Sequence, residues 1–364
     1  MTVFSREMRL VILMSRLPMA PGALRLASDL AGEGIDWERF FALARIGEVE
    51  PAVMTNLLDR FREMLPSTAM IAALERRRET KALSLSRTLV LFELVKLLKS
   101  RSVDVMVLKG PVTALYAFGH PALRTFSDLD LFIKPEHLRI IEDLLKERGY
   151  KPLFSDEKRA GLISQGHALE YSDGRVKIEL HCSLFPKHLR FNLTEGEVWH
   201  DLTEITFDGA PLPAPSKAMT FLLACGHAAK HEWSSVRLIA DAAQLLDALT
   251  ISEAAEVLRL AKEARAVGLV ALAVKLVREV FDEAHDPFSV LRLKGYPTSE
   301  RLTDKVIRRM SGQSTTHIDQ WVNSISPWLG PLLFWVRARE SVVDRCLCLL
   351  QPGVRRASRI LSRR

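Results

Sequence analysis

The sequence predicts an α+β fold: a small mixed β-sheet core flanked by N-terminal and C-terminal helical regions. Three observations predict it. Apolar residues recur at three-to-four spacing over 1–100 and again from 216 to about 280. Between these stretches, a β-branched run at 103–108 and an alternating run at 127–133 replace the helical period. Runs 167–172 and 175–182 flank Asp173-Gly174, a strong hairpin signal. Four segments follow: helical 1–100, a sheet core over 101–210, helical 216–310, and a C-terminal extension with a basic tail over 311–364.

Each element has its own signal. Asp36 stands as an N-cap before Trp37, Phe40, Phe41 and Ala44, which share a helical face. Leu91, Leu94, Val95 and Leu98 form a second apolar stripe. The charge run Glu75-Arg76-Arg77-Arg78-Glu79 reads as a solvated helix face. The strand at 103–108 ends in a turn at Lys109-Gly110-Pro111, and 113–118 makes a short helix. Pro135 opens a helix with Leu138, Ile141, Leu144 and Leu145 inward, and Gly149 closes it. In the second hairpin arm Val176, Ile178 and Leu180 face one way, and Lys177, Glu179 and His181 the other. Pro211-Leu212-Pro213-Ala214-Pro215 reads as a linker or boundary.

Composition excludes several classes. With 48% hydrophobic and 26% charged residues the chain is not largely disordered. The best candidate for a spanning helix, 267–274, is cut short by Arg265 and Lys275. The N-terminal stretch, with Arg6, Glu7 and Arg9, is too polar and short for a secretory signal. Cys182, Cys225, Cys346 and Cys348 form no paired CxxC sets, so neither a zinc ribbon nor a disulfide framework is expected, and free thiols fit a reducing cytoplasm. The net charge of +7 is concentrated: residues 337–364 hold eight Arg and two acids, leaving about +1 for the rest. A broad nucleic-acid surface is therefore not expected on the body.

Asp128-x-Asp130 carries the chemistry. A two-residue step on a strand puts both carboxylates on one face, with Leu129, Leu131 and Ile133 on the other. Adjacent acids repel and are relieved by a shared cation, and oxygen ligands favour Mg²⁺ or Mn²⁺. Glu179, on the polar face of a later strand, would complete a site suited to in-line displacement at phosphorus. An exposed polar edge would also read as DxD. The context is a strand ending in Lys109-Gly110, with Arg124 just before the pair.

These residues resemble a known family. Leu108-Lys109-Gly110, Tyr116, Arg124, Ser127-Asp128-Leu129-Asp130-Leu131, Gly149-Tyr150 and Ile178-Glu179-Leu180-His181 are similar to the bacterial "uncharacterised nucleotidyltransferase" family of the DNA polymerase β-like superfamily. Gly226-His227-x2-Lys230-His231-x-Trp233, with Arg237 and Asp241, resembles its second block, and the segment from Asp36 its N-terminal part. The resemblance covers roughly residues 25–250. It implies a metal-dependent nucleotidyltransferase moving a nucleoside monophosphate from ATP or another NTP to an acceptor: a small molecule, a protein or an RNA. Asp128 and Asp130 would hold the catalytic Mg²⁺ or Mn²⁺ and the triphosphate. Glu179 would complete metal binding and help deprotonate the incoming hydroxyl. The Gly110 turn would bring backbone N–H groups to the phosphates, beside Ser127, while Lys109 and Arg124 offset their charge. The wider superfamily has Gly-Ser at this turn. Here Pro111 offers no N–H, and Thr113 would substitute. Glu179, where Asp is usual, lengthens the metal arm.

His227 and His231, four apart on a helix, would line the cleft with Lys230, Arg237 and Asp241 as acceptor contacts; with Asp241 they also suggest zinc. His181 would touch substrate or bond within the hairpin. Trp321, Trp328 and Trp335 read as core. The tail 351–364, with an apolar face ringed by Arg, would touch a membrane surface or polyanion, making a cytoplasmic protein peripheral at the membrane. The alternatives are a degenerate nucleotide binder, a scaffold or membrane-surface protein without turnover, and a toxin-like enzyme acting on tRNA or protein.

Overall fold

The computed structural model describes residues 4–281, 287–289, 291, 297–312 and 329–338. Helices Arg6–Met14, Pro21–Gly32, Trp37–Ile46, Glu50–Arg60 and the long Ser67–Ser100 come first. Asp36 caps the third, its carboxylate accepting the Arg39 N–H at 3.0 Å. Within the charge run, Arg76 and Arg77 bond Glu50 and Asp59 of the neighbouring helix.

The strands are β1 Val105–Val107, β2 Asp128–Ile133, β3 Lys151–Pro152, β4 Leu169–Ser172, β5 Lys177–His181, β6 Leu202–Phe207 and β7 Ala210–Pro215. Among the described residues they form a five-stranded sheet ordered β1-β2-β5-β4-β3 and a two-stranded ribbon. The sheet is mixed: β2 and β5 run parallel, and the other pairs antiparallel. The turn between β4 and β5 is held by Asp173, whose Oδ1 accepts the N–H groups of Arg175 and Val176, and by Gly174 at φ +88°.

Alternation sorts the two faces. Leu129, Leu131 and Ile133 of β2, with Ile178 and Leu180 of β5, enter one core beneath the sheet. Leu91, Leu94, Val95 and Leu98 of the long helix and Ile141, Leu144 and Leu145 of helix Leu138–Glu147 close that core. The opposite face carries Asp128, Asp130, Lys177, Glu179 and His181. Around it the N-terminal helices share a second core with helices Lys217–Lys230, Val236–Ala248, Ile251–Glu263, Val267–Val280 and Leu329–Arg337. Gln244 ties these parts together, donating to Leu17 O at 2.6 Å and Ala117 O at 3.0 Å.

The ribbon corrects one expectation. Residues 211–215 are not a linker but β7, paired along its length with β6. The three prolines alternate, so the missing N–H groups all fall on one edge. Ala210, Leu212 and Ala214 keep theirs for β6, and Leu212 and Ala214 are buried in the core beneath the sheet.

Trp335 is fully buried, its indole N–H donating to Leu189 O at 2.9 Å. Trp321, Trp328 and the tail 351–364 lie outside the described residues. Among the described residues no helix is long and apolar enough to cross a membrane.

Candidate active site

The site is built where β2 and β5 pair in parallel, with Asp130 opposite Glu179 and Asp128 opposite Lys177. The long helix holds the entry to β2. Ser84 Oγ donates to Arg124 O at 3.1 Å and an Arg87 Nη donates to Phe126 O at 2.6 Å. Gly110, at φ +57°, turns the chain after β1 into helix Pro111–Phe118, a conformation that disfavours a side chain.

Asp130 is the hub. It is 2% exposed, and its Oδ1 accepts from Lys109 Nζ at 2.6 Å and lies 3.0 Å from His181 Nε2. The same His181 nitrogen is 3.4 Å from Glu179 Oε2. Lys177 Nζ bonds Glu179 Oε1 at 2.5 Å and lies 3.5 Å from Asp128 Oδ2. These contacts set the protonation. Burial pushes the Asp130 carboxyl up, but Lys109 and His181 outweigh it and hold it well below the usual range. Burial also raises Glu179, yet the His181 and Lys177 bonds bring it down to about 2. Asp128 is raised by burial and by repulsion from Asp130 and Glu179. Burial lowers His181, and its bonds to Asp130 and Glu179 more than reverse this.

The donor set fits a cation. Among the described residues, ligand atoms of Asp130, Glu179 and His181 lie within 4.8 Å of one another, and Asp128 sits beside them on the same face. Two lysine ammoniums now supply the positive charge these carboxylates need. His181, expected only as a cleft or hairpin residue, belongs to this cluster. Its place two residues after Glu179 was the available signal.

The cluster forms the floor of a cleft of about 830 Å³. Lys109, Gly110, Arg124, Ser127, His227, Lys230, His231 and Arg237 all line it. So do residues not singled out as site residues, among them Lys158, His167, Glu170 and Lys177. Lys177 was legible from its face shared with Glu179. Lys158 and His167 arrive from other elements and had no local signal.

Two expected residues lie elsewhere. Thr113, 4% exposed, and Asp241 line a separate small cavity of about 20 Å³ behind the cleft. Asp241 takes Arg124 in a bidentate pair, Nε to Oδ1 at 2.9 Å and an Nη to Oδ2 at 2.8 Å. Arg237 bonds Glu48 at 3.1 Å and lies 3.4 Å from Asp241. Asp241 is thereby bound to guanidinium groups, and His227 and His231, rings 4.5 Å apart, do not share it as zinc ligands.

Gly226 explains its place in the helical block. A Cβ there would fall 2.6 Å from Phe185 Cζ. The missing side chain lets the loop after β5 close against helix Lys217–Lys230, which brings His227 and Lys230 over the carboxylates.

A mixed sheet whose two central parallel strands present three acids and a histidine to an open cleft defines an α+β protein with a carboxylate-centred, cation-ready site. The profile of the family described as "Uncharacterised nucleotidyltransferase" matches residues 33–282, and the chain belongs to that family. The match contains the site from Lys109 to Asp241 and extends beyond the expected 250 at its C-terminal end. No curated protein matches the chain.

Proposed function

We propose that this protein is a Mg²⁺- or Mn²⁺-dependent nucleotidyltransferase that moves a nucleoside monophosphate from an NTP to an acceptor hydroxyl. The observation that carries this is the set of Asp130, Glu179 and His181 donor atoms within 4.8 Å, on the floor of an open cleft. Asp128, Asp130 and Glu179 would hold the cation, with His181 fixing Asp130 against Glu179. When bound, it supplies charge stabilisation at the phosphoryl oxygens and a template for in-line displacement.

The chain's own groups do the rest. The Gly110 turn and the first turn of helix Pro111–Phe118 receive the phosphates, with Ser127 beside them. Lys109, now on the Asp130 oxygen that a cation would take, moves onto the phosphates and offsets their charge. The acceptor oxygen bonds to the α-phosphorus, the α–β bridging bond breaks, and pyrophosphate leaves with the electron pair. The hydroxyl proton passes to Glu179 and then to solvent. This reading assigns the chemistry to segment 101–210 and acceptor contacts to 216–310. Free Cys182 and Cys225 fit a reducing cytoplasm.

One observation favours a second reading, nucleotide binding without turnover. Pro111 offers no N–H, and Thr113 is buried outside the cleft. One experiment separates the two. Wild type and Asp130→Asn are incubated with α-³²P-labelled ATP, GTP, CTP or UTP, the divalent ion and lysate. Label in one product fraction with wild type alone is expected. NTP-dependent thermal stabilisation with neither label nor pyrophosphate would instead support the binder.

A further inference from the structure

The cleft's cations divide by whether a carboxylate already holds them. Lys109 is on Asp130, Lys177 on Glu179, Arg124 on Asp241, and Arg237 on Glu48. Among the described cleft residues, Lys230 and Lys158 are the cations with no carboxylate partner. Lys230 stands near four imidazoles, His188 beside His167 and three that line the cleft. His227 and His231 flank it on the end of its own helix, and His167 enters from the loop before β4. No ring nitrogen of these three has a hydrogen-bond partner among the described residues, so each has an N–H to give.

The electrostatics agree. Burial and the Lys230 charge lower His167, and partial desolvation in the cleft with the same charge lowers His231. Burial and Lys109 hold His227 well below its ordinary value. The rings are neutral at pH 7, and Lys230 among them repels any cation. The His167 and His231 N–H groups with an ammonium match the three terminal oxygens of a phosphate monoester better than the two of a carboxylate.

Position on the sheet says which phosphate. The Lys109-Gly110 turn follows β1, whereas His167 precedes β4, three strand spacings or about 14 Å away. Lys230 feels the charge of Lys109 first and then those of Glu179, Asp130 and Glu170, the last on β4. A triphosphate seated at Gly110 and over Asp128 and Asp130 covers β1 and β2. Lys230 bridges from Lys109 towards Glu179 and β4, where His167 stands, whereas His227 faces Lys109 and Asp130.

We propose that Lys230, with His167 and His231, forms a second anion subsite, and that the acceptor is a small phosphorylated hydroxy compound whose phosphate docks there while its hydroxyl faces Glu179. The near-neutral body, about +1 outside residues 337–364, agrees with a small acceptor rather than a long polyanion. The proposal rests on the nucleotidyl-transfer reading.

The test is calorimetric titration of inorganic phosphate into the full chain saturated with Mg²⁺ and α,β-methylene-ATP, using wild type, Lys230→Met and Lys230→Arg. Phosphate is expected to bind the loaded wild type. Lys230→Met should weaken it by about tenfold or more, Lys230→Arg should keep most of it, and the nucleotide Kd should change by less than about threefold in both. Matching melting temperatures exclude misfolding. No phosphate binding to the loaded wild type overturns the proposal. So does equal weakening of nucleotide and phosphate in Lys230→Met, which would put the triphosphate on Lys230. Failure of the nucleotide to bind wild type is a separate result that defeats the transfer reading. The phosphate titration repeated on the nucleotide-free chain then still decides the subsite.

Discussion

Replacing Arg124 separates a structural role from a nucleotide-binding one. Its guanidinium and the Asp241 carboxylate meet in two bonds of 2.9 and 2.8 Å, with side chains only 7% and 6% exposed. Removing one member of a buried pair strands the other charge, at about 3–5 kcal/mol. In Arg124→Met, Asp241 still has Arg237 at 3.4 Å, so the loss falls at the low end, about 3 kcal/mol. In Asp241→Leu, Arg124 keeps no carboxylate bond, and the loss approaches about 5 kcal/mol. The double variant removes both charges and recovers most of the deficit. At about 2 °C per kcal/mol for a chain of this size, the single variants melt about 6 and 10 °C below wild type. Calorimetric melts of the four proteins, each followed by titration with ATP and Mg²⁺, make the assay. A melting point for Arg124→Met within about 2 °C of wild type, together with tenfold weaker nucleotide, refutes the reasoning and places the guanidinium on the phosphates.

Other outcomes follow from single contacts. Gly226→Ala drives a methyl to 2.6 Å from Phe185 Cζ, a ring confined between Phe191 and Trp335, and should cost about 1–3 kcal/mol. Adding Phe185→Leu should restore the melt, and no restoration would mean the clash lies elsewhere. Burial, then His167 and Lys230, hold His188 at about 4, below its ordinary 6.5. A depressed base contributes stability that is present above about 6.5 and lost as pH falls towards 4. His188→Asn should flatten that acid limb, and an imidazole resonance titrating near 6.5 would contradict it. Mg²⁺ should raise the melting temperature of wild type and leave Asp130→Asn unchanged, because only a ligand favouring the native state shifts the transition. An equal gain in both proteins would take Asp130 out of the metal site.

Much of the fold was legible because its signals are local. Period two across 127–133 and 175–182 separated Leu129 and Leu131 from Asp128 and Asp130, and Ile178 and Leu180 from Glu179 and His181, as the two cores require. Asp173-Gly174 marked its turn and Asp36 its cap. The prolines at 211, 213 and 215 hid β7. Their missing donors would matter only on the paired edge, and sequence does not reveal which edge that is. Thr113 was expected beside the phosphates. The helix turn that would bring it there instead points it inward.

The sequence by itself determined which side chains share a face, because strand and helix periods depend on neighbours a few residues away. That was enough to pick out Asp128, Asp130 and Glu179 as a carboxylate set. Only the tertiary structure decided how charge is distributed among them. The parallel register of β2 and β5 set Asp130 against Glu179, brought His181 between them, and laid Lys109 on the same oxygen. Arg124 found Asp241 across 117 residues of chain, while Lys230 was left without a carboxylate. Ion pairs form over 3–4 Å, and no periodicity encodes which distant atoms packing brings within that range.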